Sequence, residues 1–198
     1  MDPIPRHRCF VYEGAPSSSL NPLAKTLCQK LNAGYRCMFL NSAPMVAGMR
    51  SCLASLGVDV QHELRRGSLI TSSEREHLVD GVFSIGKMIS SLEEALSLAL
   101  IDGYKGLFAS GDMTWEFGSE KNFAKLVKYE WRLEDFFRKH PELCAICQYH
   151  VNTLPPDIVR QGVMTHPAIF VNETLSMVNP RFVHPVYSPG HMDEALEY

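Results

Sequence analysis

Residues Cys9–Leu31 read CFVYEGAPSSSLNPLAKTLCQKL, and this stretch decides how the remainder of the chain is understood. A short apolar run, Cys9 to Tyr12, breaks into Glu13-Gly14-Ala15-Pro16-Ser17-Ser18-Ser19. Apolar residues then return at helical spacing at Leu20, Leu23, Leu27 and Leu31. The pattern is strand, Gly/Ser loop, helix. In that arrangement backbone N–H groups at a helix N-terminus can hold an anion, and many nucleotide-binding α/β domains open this way.

A working phosphate loop needs G-x-x-x-x-G-K-[ST], with a lysine for the phosphates and a hydroxyl for magnesium. Counting from Gly14, the second glycine is replaced by Ser19, the lysine by Leu20 and the hydroxyl residue by Asn21. Lys25-Thr26 lies too far along the helix to substitute. The scaffold is kept and the phosphate chemistry is missing, so NTP hydrolysis by the usual route is disfavoured. Ser17, Ser18 and Ser19 then either cap the helix or also hydrogen-bond a polar ligand, with Glu13 beside them.

Working outward, Tyr35–Leu40 reads as a second strand. A helix with Val46, Met49, Leu53 and Leu56 on one face follows, N-capped by Asn41-Ser42 and closed by Gly57. Val58-Asp59-Val60 is expected to start a third strand and Gly67–Thr71 a fourth, with Ser72–Phe83 a loop or short helix. A long helix runs through Ile85, Met88, Leu92, Leu96 and Leu100, followed by a buried strand at Gly106–Ala109. Phe123–His140 is the next helix and Leu143–Tyr149 an uncharged strand. A helix from Pro155-Pro156 to Met164 precedes a final strand at Ala168–Val171.

Strands that are apolar throughout and alternate with helices predict an α/β fold with three layers, a mostly parallel sheet flanked by helices. Residues 1–178 are expected to form one domain, and residues 179–198 a Pro-rich tail or linker.

A chain of 198 residues with 45% hydrophobic content suits one such core. The net charge of −3 and scattered Lys and Arg give no footprint for direct nucleic-acid binding. No apolar run reaches membrane-span length, and no secretory signal opens the chain. The cysteines sit in apolar runs, so a cytoplasmic protein with reduced thiols is expected.

Four features carry candidate chemistry. Asp112, Trp115 and Glu116 follow a strand, where open α/β sheets place their ligands, and the two carboxylates could serve a cation or act as acid and base. Glu130 falls within the apolar stripe Leu126, Leu133, Phe137 of its helix. A buried, unpaired carboxylate costs several kcal/mol, so it needs a side-chain partner, backbone amides or a ligand. Gln148 and Tyr149 end a strand where a ligand could be read. Cys144 and Cys147 form C-x-x-C, but positions three apart on a strand point to opposite faces. The eight histidines show no ligand spacing, and no metal site is expected; His7 and His166 read as hydrogen-bonded structural residues.

Taken in order, HRCFVYE from His7, GYRC from Gly34, LGVDV from Leu56, GDMTW from Gly111, Tyr129-Glu130, Cys147-Gln148-Tyr149 and Thr165-His166-Pro167 make the chain resemble the MEDS family. This is the DcmR-type sensory domain of methanogens and methylotrophs. The resemblance spans His7 to Val171. It implies a fold related to the RecA/KaiC ATPase core with a degenerate phosphate loop, and a role in sensing hydrocarbon derivatives. It also strengthens Asp112, Trp115, Glu116, Glu130, Gln148, Tyr149 and His166 as ligand-binding residues. Members often carry Glu at the position of Asp112, so the shorter carboxylate here bears on ligand choice.

This chain carries no helix-turn-helix or kinase segment, so the output is expected to run through a regulatory protein partner, a histidine kinase or transcription regulator, or through a neighbouring domain. The leading expectation is therefore a non-catalytic module that binds a small organic molecule or a nucleotide. The alternatives are a divalent-cation-dependent ATPase or phosphotransferase, and an interaction scaffold that forms a homo-oligomer. No cofactor is named by the sequence.

Overall fold

The computed structural model describes residues 5–73, 78–79, 82–114 and 122–184. Strand β1 (His7–Tyr12) leads through a 3-10 turn at Pro16–Ser19 into α1 (Leu20–Asn32). Next come β2 (Arg36–Leu40), α2 (Ala43–Ser55), α3 (Val60–Arg65) and β3 (Leu69–Ser72). A small hairpin of β4 (Leu78–Val79) and β5 (Val82–Phe83) precedes α4 (Ile85–Ile101) and β6 (Leu107–Asp112). The chain continues through α5 (Phe123–Lys139), β7 (Leu143–His150), α6 (Pro156–Thr165), β8 (Ala168–Phe170) and β9 (Ser176–Val178).

The main sheet has seven strands in the order β3-β2-β6-β7-β1-β8-β9. Every pairing in it is parallel except β8 with β9. This is the mostly parallel, three-layer α/β architecture that the apolar strands predict. One core lies between the sheet and α4, α5 and α6, and takes Cys9, Ala145, Cys147 and Tyr149 from the strands. The other lies against α1, α2 and α3, and takes Phe10, Tyr12, Cys144 and Ile146. Strand alternation thus sends Cys144 and Cys147 to opposite faces, as their spacing requires. All six cysteines are free thiols. No helix of the described residues is long and apolar enough to cross a membrane.

Four local expectations need correction. Val58–Val60 is not a strand: the Asp59 carboxylate accepts from the His62 N–H at 2.9 Å and starts α3, whose Val60 is buried. The loop or short helix expected over Ser72–Phe83 contains the antiparallel β4–β5 pair; the overlooked signal was Leu-Val and Val-Phe flanking Asp-Gly, a favoured hairpin sequence. Ala168–Phe170 is not the last strand. Asn172 accepts from the Thr174 and Leu175 N–H groups, both at 2.9 Å, and turns the chain back as β9. Finally, the serines do not cap α1. Ser19 already has helical φ −72° and ψ −21°, makes no capping bond, and donates its hydroxyl to the Pro16 carbonyl at 2.8 Å.

Close approach decides one glycine. A Cβ on Gly162 of α6 would lie 2.3 Å from the Tyr149 ring. Gly162→Ala gains about 1 kcal/mol of helix propensity but overpacks a filled interior, at about 1–3 kcal/mol. The expected outcome is a net loss of stability, read as a lower urea midpoint with an unchanged slope.

Candidate functional site

Polar residues gather at two places on opposite faces of β7. At the carboxyl edge, on the α1–α2 side, the Tyr12 hydroxyl donates to Asp112 at 3.3 Å. Asp112 also accepts from the Thr114 N–H at 2.7 Å and from the Thr114 hydroxyl. The Gln148 amide donates to the Ser110 hydroxyl at 3.0 Å and accepts from Asn41 at 3.5 Å.

The opening loop closes over the same edge. The Gly14 N–H donates to Asn152 Oδ1 at 2.8 Å, and the Gly14 carbonyl accepts from His150 Nε2 at 2.8 Å. Since that carbonyl can only accept, His150 Nε2 carries a proton, and Nδ1 lies 2.6 Å from the Thr153 hydroxyl. The His150 ring stacks on Tyr12 at 4.9 Å. Glu13, Ser17 and Ser18 are exposed, and Ser19 is buried under the turn. Trp115 and Glu116 lie outside the described residues.

Burial raises the pKa of Asp112 against the opposing pull of its hydrogen bonds from Thr114 and Tyr12. A carboxyl whose folded pKa exceeds its unfolded value contributes stability fully below the unfolded pKa, and that contribution is lost as pH rises through the folded value. Relative to Asp112→Asn, the wild-type chain should therefore lose stability from about pH 4 upward. For a single proton the slope inside that window stays below about 1.4 kcal/mol per pH unit. Urea unfolding of both proteins across pH measures the difference, and parallel curves would contradict it.

The second gathering is buried between the sheet, α5 and the α6–β8 junction. Glu130, in the apolar stripe of α5, is 0% exposed. It accepts the Tyr149 hydroxyl on Oε1. Its Oε2 lies 3.4 Å from His166 Nε2 and 3.7 Å from His7 Nε2. The His166 Nδ1–H donates to the Gly162 carbonyl at 2.7 Å, which leaves Nε2 without a proton, facing Glu130. His7 places Nδ1 2.9 Å from Glu134 Oε2 and Nε2 3.4 Å from the Cys147 sulfur. The His7 ring is stacked on Phe137 at 4.4 Å.

Burial dominates the electrostatics here. It pushes Glu130 up to about 8 and Glu134 up to about 7, holds His7 down to about 3, and holds His166 well below the usual imidazole range. The contacts of Glu130 with Tyr149 and the two imidazoles are therefore hydrogen bonds and close approaches between neutral groups rather than ion pairs, while Glu134 sits near the midpoint of its titration at neutral pH. Two atoms stay orphaned: Glu130 Oε2 and His166 Nε2 are buried without a hydrogen bond. A cleft of about 260 Å³, lined by Arg6, His7, Glu134, Phe137, Arg138 and Pro167, reaches this cluster from the amino-terminal side of β1.

The residues singled out in the sequence thus divide. Asp112 and Gln148 join the carboxyl edge, while Glu130, Tyr149 and His166 join the buried cluster. Sequence reasoning found the need for a partner at Glu130 but not its identity. It passed over Glu134, His7 and Cys147 as site residues, and His7 and Cys147 stand 140 positions apart. The expectation of no metal ligands also changes, because one donor atom each from His7, Glu130, Cys147 and His166 falls within 4.8 Å of the others.

A profile of MEDS, the methanogen/methylotroph, DcmR sensory domain, matches residues 6–167. The chain belongs to this family. Both polar gatherings of the MEDS domain fall inside the matched span. No curated protein matches the chain.

Among solved structures, FlaH, a flagellar accessory protein from Methanocaldococcus jannaschii, is similar at 14% identity and TM-score 0.57, covering 84% of this chain and 71% of its own. A KaiC-like protein from Pyrococcus horikoshii OT3 is similar at 11% identity and TM-score 0.56, covering 82% and 69%. An uncharacterized P. horikoshii protein in complex with an unknown peptide reaches TM-score 0.61 at 15% identity, covering 83% and 76%. The fold is RecA/KaiC-like.

Proposed function

We propose that this MEDS domain is a non-catalytic sensory module. It binds a small organic molecule at the carboxyl edge of the sheet, between the opening loop and the segment that follows Asp112, and relays occupancy to a regulatory protein partner. The observation that carries this reading is the state of the opening loop. A phosphate loop presents free backbone N–H groups and a lysine to its anion. Here Gly14 is held on both sides by Asn152 and His150, the Ser18 N–H donates to the Ala15 carbonyl at 2.8 Å, and Ser19 turns inward. The loop is degenerate as a phosphate cradle.

What the edge offers instead is a carboxyl, an amide, a phenol and an aromatic stack, the donor and acceptor set of a small polar-tipped organic ligand. Ligand binding would act on a partner by favouring one of two loop arrangements, with differential affinity as the driving term. Histidine kinases and transcription regulators are the partners that family membership suggests.

Thermal-shift screening of small organic molecules and nucleotides, with phosphate release followed in parallel, tests the reading. Stabilisation by a small organic molecule without turnover is expected, and Asp112→Ala should abolish that shift while the protein stays folded. Nucleotide stabilisation with magnesium-dependent phosphate release would replace the sensor by an ATPase. Silence toward every compound would replace it by an interaction scaffold.

A further inference from the structure

The buried cluster is not used by the carboxyl-edge reading and does not depend on it. We propose that His7 Nε2, Glu130 Oε2, Cys147 Sγ and His166 Nε2 are the four ligands of a tetrahedral zinc-type metal site. They arrive from four places in the fold: the first residue of β1, the middle of α5, the inward face of β7 and the residue that ends α6.

Distance is the first argument. Zn–N and Zn–O bonds of about 2.0–2.1 Å and a Zn–S bond of about 2.3 Å give a tetrahedron whose edges are about 3.3–3.6 Å. The observed edges are 3.4 Å from His7 to Cys147, 3.4 Å from His166 to Glu130 and 3.7 Å from His7 to Glu130. The remaining pairs lie within 4.8 Å, so small side-chain rotations complete the shape.

Orientation is the second. In metal sites the atoms that do not bind the ion are held by outer partners, and those partners aim the ones that do. His7 Nδ1 lies on the Glu134 carboxyl at 2.9 Å, His166 Nδ1 on the Gly162 carbonyl at 2.7 Å, and Glu130 Oε1 accepts Tyr149. Each arrangement frees the other atom toward one point. Two of the freed atoms, Glu130 Oε2 and His166 Nε2, are the two buried polar atoms left without a hydrogen bond among the described residues.

Charge and access complete the case. One carboxylate and one thiolate balance a divalent cation, so the loaded site is neutral and compatible with full burial. The thiolate and imidazoles select zinc over magnesium or calcium, and the cleft beside His7 and Glu134 is the route in. With four protein donors the site is closed, the form that ties a fold together rather than one that binds water for catalysis. Here it would tie β1, α5 and β7 to the α6–β8 junction.

The test uses the full chain, freed of metal by chelation and titrated with Zn²⁺ and, separately, Co²⁺. One equivalent of either should bind and raise the melting temperature. The cobalt form should show a thiolate-to-metal charge-transfer band with the intense visible absorption of tetrahedral Co²⁺. Cys147→Ser should lose the charge-transfer band. Cys144→Ala, on the opposite face of β7, should keep it. Glu134→Gln should keep the band but weaken binding by about 10–100-fold. Should Cys147→Ser fail to fold, the Cys144 and Glu134 variants still decide the matter. A chain that takes up neither ion, or a band that follows Cys144, would overturn the assignment and leave a metal-free hydrogen-bonded cluster. Neither result bears on the ligand screen at the carboxyl edge.

Discussion

A carboxyl in the apolar stripe of α5 is the constraint around which one whole side of this protein is arranged. Glu130 cannot be buried alone without a cost of several kcal/mol, and the fold answers by bringing Tyr149, His166 and His7 to it from three other elements. Gly162 is small because the Tyr149 ring needs its space, and its carbonyl fixes the tautomer of His166. Asn179, just after β9, donates to the carbonyls of Val163 and His166 at 2.6 and 2.8 Å and holds the turn that positions that histidine.

The other side of the sheet obeys a different logic. There the strand, loop and helix that open the chain are kept, while the loop directs its hydrogen-bonding groups to the protein itself. A RecA/KaiC-like fold shows how the chain is built and not what it binds. The distinction between the two faces comes from residues such as Ser19 and Leu20, which occupy places that phosphate chemistry would assign to glycine and lysine.

The long periodic and apolar segments were legible from the sequence. The alternation of strands and helices, the bounds of α4, α5 and β7, and the burial of Glu130 could all be read directly. What was misread was short and decided by single side chains: Asp59 turning three residues into a helix start, and Asn172 folding back β9. The meeting of His7, Cys147 and His166 was invisible for a topological reason. β1 inserts between β7 and β8, and nothing in the spacing of these residues records which strands become neighbours. Glu134 was passed over although it lies one turn from Glu130 on the same face of α5, because its histidine partner comes from β1.

Consecutive residues of β7 serve the two faces: Gln148 enters the carboxyl-edge network and Tyr149 meets Glu130. A slip of one residue along β1 or β6 would turn both side chains to the wrong face at once. The two polar centres therefore act as opposed pins on a central strand whose uncharged, wholly buried sequence would otherwise leave its alignment to apolar side chains that can exchange places.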